Sequence, residues 1–124
     1  MNQIVEGLLL QLKKIEYGFK HIIIAGDTLL QHKDINHFDT CILLLQEDSY
    51  QTRMLATYIL GQLSPENSGA LKTLETVVAH DENWRVQEML AKAFDSYCQK
   101  TGYEASLPKI RQWLNNENPN VKGP

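Results

Sequence analysis

Trp84 and Glu88 stand four residues apart near the start of the segment Asp81 to Tyr97, DENWRVQEMLAKAFDSY. On a helix that spacing is one turn, so the indole and the carboxylate share a face. Val86, Met89, Leu90, Ala93, Phe94 and Tyr97 recur at helical spacing and form a separate, unbroken apolar stripe. That stripe is the core face, and Trp84 and Glu88 lie off it. A stacking surface beside a fixed negative charge, turned to solvent, is a chemical group that a core does not need. The pair is the candidate site, with Asp81 or Asn83 placed to cap the helix that carries it.

A purely structural use of the same residues stands beside this one. Trp84 would pack as a hydrophobic staple at the helix start, and Glu88 would pair with Lys92 at i+4 or Arg85 at i−3. Arg53, Lys72, Arg85, Lys92, Lys109 and Arg111 recur along the chain and could line one surface, although the interspersed acids equally fit a solvated, charge-balanced face. The four histidines, His21, His32, His37 and His80, show no metal-ligand spacing with each other or with cysteine. There is no glycine-rich phosphate loop, no Gly-x-Ser-x-Gly elbow and no HExxH. No metal and no cofactor are implied.

The elements that must position the pair are helices throughout. Val5, Leu8, Leu12 and Ile15 form a first stripe, and Phe19, Ile22, Ile23, Leu29 and Leu30 a second. Phe38, Ile42 and Leu45 mark a third, and Met54, Leu55, Tyr58, Ile59 and Leu63 a fourth, capped by Asp48 or Ser49. Leu71, Leu74, Val77 and Val78 belong to a fifth, and Tyr103, Leu107, Ile110 and Leu114 to a seventh, with Pro108 tolerable only near its first turn. No stretch alternates as a strand does. A chain of 124 residues with 43% hydrophobic and 22% charged content is one folded domain with a modest core. Its net charge of −3 argues against non-specific nucleic-acid binding by the whole surface, not against a local basic face. The most apolar run, Ile22 to Ala25, is far too short to span a bilayer. Without a secretory signal, and with Cys41 and Cys98 isolated among apolar neighbours, the expected compartment is the reducing cytoplasm.

The helices repeat. Leu55-Ala56 maps onto Leu90-Ala91 at a shift of 35, and Glu82-Asn83 and Val86 map onto Glu117-Asn118 and Val121 at the same shift. Two-helix units fall at about 4–31, 37–63 and 68–98, with an incomplete one from 103. A helix-pair period of roughly 30–47 residues predicts an α-solenoid. The expected fold is all-α: a short HEAT-like or armadillo-type superhelix of about three to four helix pairs in a single domain, residues 1–124. Asn118-Pro119 reads as the cap and first helical position of a partner helix that Lys122-Gly123-Pro124 cuts short. The expectation is therefore a truncated form, a fragment, or a natural short version whose unpaired last helix docks on a partner or a second copy.

The run from Leu74 to Val121, LETVVAHDENWRVQEMLAKAFDSYCQKTGYEASLPKIRQWLNNENPNV, resembles the HEAT-like DNA alkylation repair proteins, the alkylpurine DNA glycosylase family. The two preceding helices fit that family's upstream repeat. In the family a tryptophan and an acid four residues later open a helix facing DNA. Trp84 and Glu88 match that pair, with glutamate where aspartate is usual. The resemblance implies an N-glycosylase for purines alkylated at N3 or N7. It also implies alkylated double-stranded DNA as the partner, Glu88 and Trp84 as catalytic residues, and Arg53, Arg85, Lys92 and Lys122 as DNA contacts. An ionised Glu88 would stabilise the oxocarbenium-like sugar and orient or deprotonate the attacking water. Trp84 would offer its π face to the cationic base, an attraction of about 0.5–2 kcal/mol. The alternative from another class is a non-catalytic HEAT-like module that binds protein, or binds DNA without cleaving it.

Overall fold

A computed structural model of the chain describes residues 2–14 and 18–115. Among the described residues there are seven α-helices and no strand. They are α1 (Gln3–Lys13), α2 (Phe19–Leu30), α3 (His37–Leu44), α4 (Tyr50–Leu63), α5 (Ser68–Thr76), α6 (Trp84–Thr101) and α7 (Tyr103–Leu114). A short 3-10 turn, Val78–His80, leads from α5 into α6. The all-α solenoid expected from periodicity is the fold observed.

Five of the seven starts are set by a short polar side chain that satisfies a backbone N–H left over in the first turn, whereas α2 and α7 begin after Gly18 and Gly102 with no side-chain cap. Asn2, Asn36, Ser49, Asn67 and Asn83 cap α1, α3, α4, α5 and α6 in this way. Of the alternatives open in the sequence, Ser49 and Asn83 are the residues used.

Helix α4 is the centre of the array. It packs against α2 and α6 on its flanks and against α3 and α5 behind, while α1 lies on α2 and α7 on α6. Its Met54, Leu55, Ala56, Ile59 and Leu60 are all buried. Two glycines permit the close crossings. The Tyr58 ring lies over Gly26 of α2, and its hydroxyl donates to Asp27. Gly61 lies against Ala93 of α6. At the far end of the array, Trp113 of α7 stacks on Phe94 with centroids 4.4 Å apart and meets Tyr97 edge-on at 5.9 Å. Its indole N–H donates to Glu75 Oε2 at 2.6 Å, and Lys109 Nζ sits 3.2 Å from both oxygens of the same carboxylate. A carboxylate on α5 thereby ties down α7 twice.

Three expectations are corrected. In α3 the buried residues are Cys41 and Leu44, with Phe38, Ile42 and Leu45 only partly covered. Val77 is 53% exposed, because α5 ends at Thr76 and the backbone changes to the 3-10 turn there. Helix α7 runs straight through Pro108, its sixth residue, and buries Ser106 and Trp113 while Tyr103 and Leu114 face solvent. Proline there removes the N–H that would bond the carbonyl of Glu104, on the exposed side of the helix. A single residue, Gly102, separates α6 from α7, and its φ of 96° is the left-handed region that favours glycine. Among the described residues no helix is long and apolar enough to cross a membrane.

Candidate functional site

Asn83 caps α6 by accepting from the backbone N–H of Arg85 at 2.9 Å, so Trp84 is the first helical residue. With Val86, Met89, Leu90, Ala93 and Phe94 committed to the core, the helix must turn Trp84, Glu88, Lys92, Asp95 and Gln99 outward. Trp84 is 59% exposed, too far out of the core to act as a staple. Glu88 is exposed one turn on and makes no ion pair among the described residues.

Around the pair lies a pocket of about 290 Å³ lined by Gly18, Phe19, Met54, Trp84, Arg85 and Glu88. Three helices contribute: the start of α2, the first turn and a half of α4, and the opening of α6. Phe19, read from periodicity as a core residue, is only half-buried and forms the wall across from α6. Nothing in its spacing distinguishes it from a core phenylalanine, so sequence alone had no signal for this. Both rings already face cations. The Arg85 guanidinium lies 4.4 Å from the Trp84 centroid and 5.1 Å from that of Tyr50. Lys92 Nζ lies 4.8 Å from the Phe19 centroid. The site therefore alternates aromatic faces and positive charge around one carboxylate, a composition suited to a polyanion carrying flat bases.

Of the basic residues expected at the DNA, Arg85 and Lys92 stand at this site; Lys20, which was not among them, follows Phe19 on the exposed start of α2. Arg53 does not join them. Its Nε donates to Asp81 Oδ2 at 2.7 Å, and its Nη1 donates to the backbone carbonyls of Glu47 and Asp48, each at 2.8 Å. Its guanidinium is spent within the chain, at the base of a broader cleft of about 670 Å³ whose lining includes Glu47, Asp81 and Glu82. Lys122 lies outside the described residues, as does the turn beginning at Asn118. Helix α6 presents Asp95 beyond Lys92, so its outward face is mixed in charge rather than basic.

No three histidine, cysteine or acidic side chains gather to hold a metal ion among the described residues. Cys41 and Cys98 are free thiols, and burial pushes the pKa of Cys41 up to about 12. Neither touches the pocket.

Two solved structures from Streptococcus mutans are similar to the chain. One is AlkD2, 36% identical, with a TM-score of 0.81 over 95% of this chain and 59% of that one. The other, smu.31 of strain UA159, is 32% identical, with a TM-score of 0.80 over 97% of this chain and 59% of that one. The chain thus spans less than two thirds of the length of either. No protein-family model matches it, and no curated protein does.

Proposed function

This chain shares the AlkD-like fold of the HEAT-like DNA alkylation repair proteins, and from that premise we propose that it binds alkylated duplex DNA at the Trp84–Glu88 site and releases purines alkylated at N3 or N7. One observation carries the reading: an exposed indole, a second aromatic wall and a carboxylate without an ion pair among the described residues line one pocket of about 290 Å³. That volume is near the lower end of the range, roughly 300–1,000 Å³, in which small ligands are held. Arg85 and Lys92 neutralise phosphates flanking the base. Trp84 stacks on the base, whose positive charge favours a π face.

Alkylation at N3 or N7 makes the purine cationic and a better leaving group. As its bond to C1′ lengthens, positive charge grows on the sugar, and the Glu88 carboxylate stabilises that charge. The same carboxylate orients the water that adds to C1′ and accepts its proton. The purine leaves with the bonding electron pair, and the products are free base and an abasic site.

A second reading, binding without cleavage, is favoured by a specific feature. Both rings already face protein cations, Arg85 on Trp84 and Lys92 on Phe19, which oppose the entry of a cationic base. The two readings part in one experiment: release of methylated purine from alkylated duplex DNA by the parent and by Glu88→Gln. Release by the parent, lost by at least about 100-fold in Glu88→Gln, supports the glycosylase. Binding to duplex DNA with no release by either protein supports the second reading. No binding by a folded parent overturns both.

A further inference from the structure

We propose that Arg53 is a positioning residue for Trp84 and Glu88, acting through Asp81 and Asn83 rather than on DNA. Trp84 is mostly exposed and has little packing of its own to hold it, so its place depends on where the backbone starts α6. That start is fixed by a chain of polar contacts reaching back to the turn between α3 and α4. The Arg53 guanidinium grips the carbonyls of Glu47 and Asp48 with Nη1 and the Asp81 carboxylate with Nε. Asp81 Oδ1 accepts from the backbone N–H of Asn83 at 2.9 Å, and Asn83 Oδ1 accepts from that of Arg85 at 2.9 Å. Gln87 closes the same turn from the other side, its amide donating to the carbonyls of Val78 at 2.9 Å and Asp81 at 2.6 Å.

The next residue along α4 from Arg53, Met54, lines the pocket that Trp84 and Glu88 also line. The Arg53–Asp81 pair therefore ties the turn that opens α6 to α4 beside that pocket. Its partners are largely buried, with side-chain exposures of 19% and 13%, so water does not readily replace the contact. A planar guanidinium can serve a carboxylate and two carbonyls at once, whereas an ammonium cannot reproduce that fork. The expected consequence is that charge alone does not substitute for Arg53.

The catalytic part of this inference rests on the function proposed above; the positional part does not. The test uses a Trp113→Phe background, in which Trp84 is the single tryptophan of a chain that otherwise has 2. Arg53→Met and Arg53→Lys are compared with their parent by Trp84 fluorescence anisotropy and acrylamide quenching, without DNA. Both variants are expected to lower the anisotropy and increase the quenching. On alkylated duplex DNA, both are expected to cut kcat by up to about 100-fold, the cost of an ångström-scale misplacement, while the salt slope of binding stays at the parent's value. Circular dichroism verifies folding. If Arg53→Met is unfolded, Asp81→Asn takes its place, since it keeps the acceptor for Asn83 and removes the charge facing Arg53. An unchanged Trp84 signal in a folded variant overturns the inference. So does a salt slope reduced by about 1 in Arg53→Met and restored in Arg53→Lys, the behaviour of a phosphate ligand. A parent that releases no purine removes the proposed activity, and the DNA-free signal still decides the role of Arg53.

Discussion

Gly61 of α4 faces Ala93 of α6 so closely that a Cβ at position 61 would lie 2.7 Å from the Ala93 Cβ and 2.9 Å from its Cα. The obstacle includes backbone, which no rotamer change can move aside. Gly61→Ala is therefore expected to destabilise the chain by about 1–3 kcal/mol, the usual cost of overpacking a core. Gly7→Ala is the control, since nothing lies within 4 Å of a Cβ there and the site is the exposed interior of α1. That substitution should stabilise by about 0.5–1 kcal/mol through helix propensity. Urea denaturation of both variants checks the opposite signs.

Trp113→Ala is expected to cost about 3–5 kcal/mol, because it removes a buried indole stacked on Phe94 and strands Glu75 without its shortest donor. Glu75→Gln should cost less, since the amide oxygen still accepts from the indole while the charge opposite Lys109 is lost. Thermal midpoints ordered parent, Glu75→Gln, Trp113→Ala would support this account of how α7 is held.

On the proposed function, Lys92→Ala and Trp84→Ala should weaken DNA binding in different ways. Loss of a phosphate contact at Lys92 is expected to reduce the slope of log K against log salt by about 1. Loss of the Trp84 ring should leave the slope unchanged and cost about 1–3 kcal/mol of stacking. Because both residues are exposed, folding stability should shift by no more than about 0.5 kcal/mol in either variant. Binding isotherms at several salt concentrations separate the two.

Burial of the His37 ring lowers its pKa below the ordinary value, an effect that nearby Lys33 and His32 reinforce and a backbone hydrogen bond at His32 partly offsets. The unfolded chain therefore takes up this proton before the folded one does. The contribution of His37 to stability is complete above its ordinary pKa and is lost as pH falls through it toward the lowered one. His37→Gln should flatten the loss of stability on that acid side. Urea midpoints at pH 7.5 and pH 5.5 for both proteins test it, and equal losses would refute the assignment.

The sequence was most legible where one face of a long helix is apolar and the other is not. In α6 the stripe from Val86 to Phe94 is buried as spacing predicts, and Trp84 and Glu88 point outward as the remainder. At the end of α3 and its C-cap the run Ile42-Leu43-Leu44-Leu45 is apolar in every direction around the axis, so periodicity cannot choose which residues go inward. Trp113 escaped notice for a related reason. The stripe through Tyr103, Leu107, Ile110 and Leu114 shares only Ile110 with the face that meets α6, where Ser106 and Trp113 stand one residue before Leu107 and Leu114. For Arg53 the obstacle is different: its acidic partner Asp81 lies 28 residues away, a contact that exists only once the repeats have stacked, and its two carbonyl partners, Glu47 and Asp48, have no sequence signal of their own. A basic residue's type says that it will find an anion, and only the fold says whose.

The one-residue joint at Gly102 also bears on how such an array tolerates change in length. An added residue at the joint would rotate α7 by about 100° about its axis. Trp113 would then leave Phe94, and Lys109 would lose Glu75. The connection between α2 and α3, residues 31–36, has no comparable demand on rotation, since Lys33, Asp34 and Asn36 are exposed and only Ile35 is buried. Insertions and deletions that survive in related arrays should therefore collect at that polar turn and spare the α6–α7 joint, which acts as a gauge for the whole C-terminal edge.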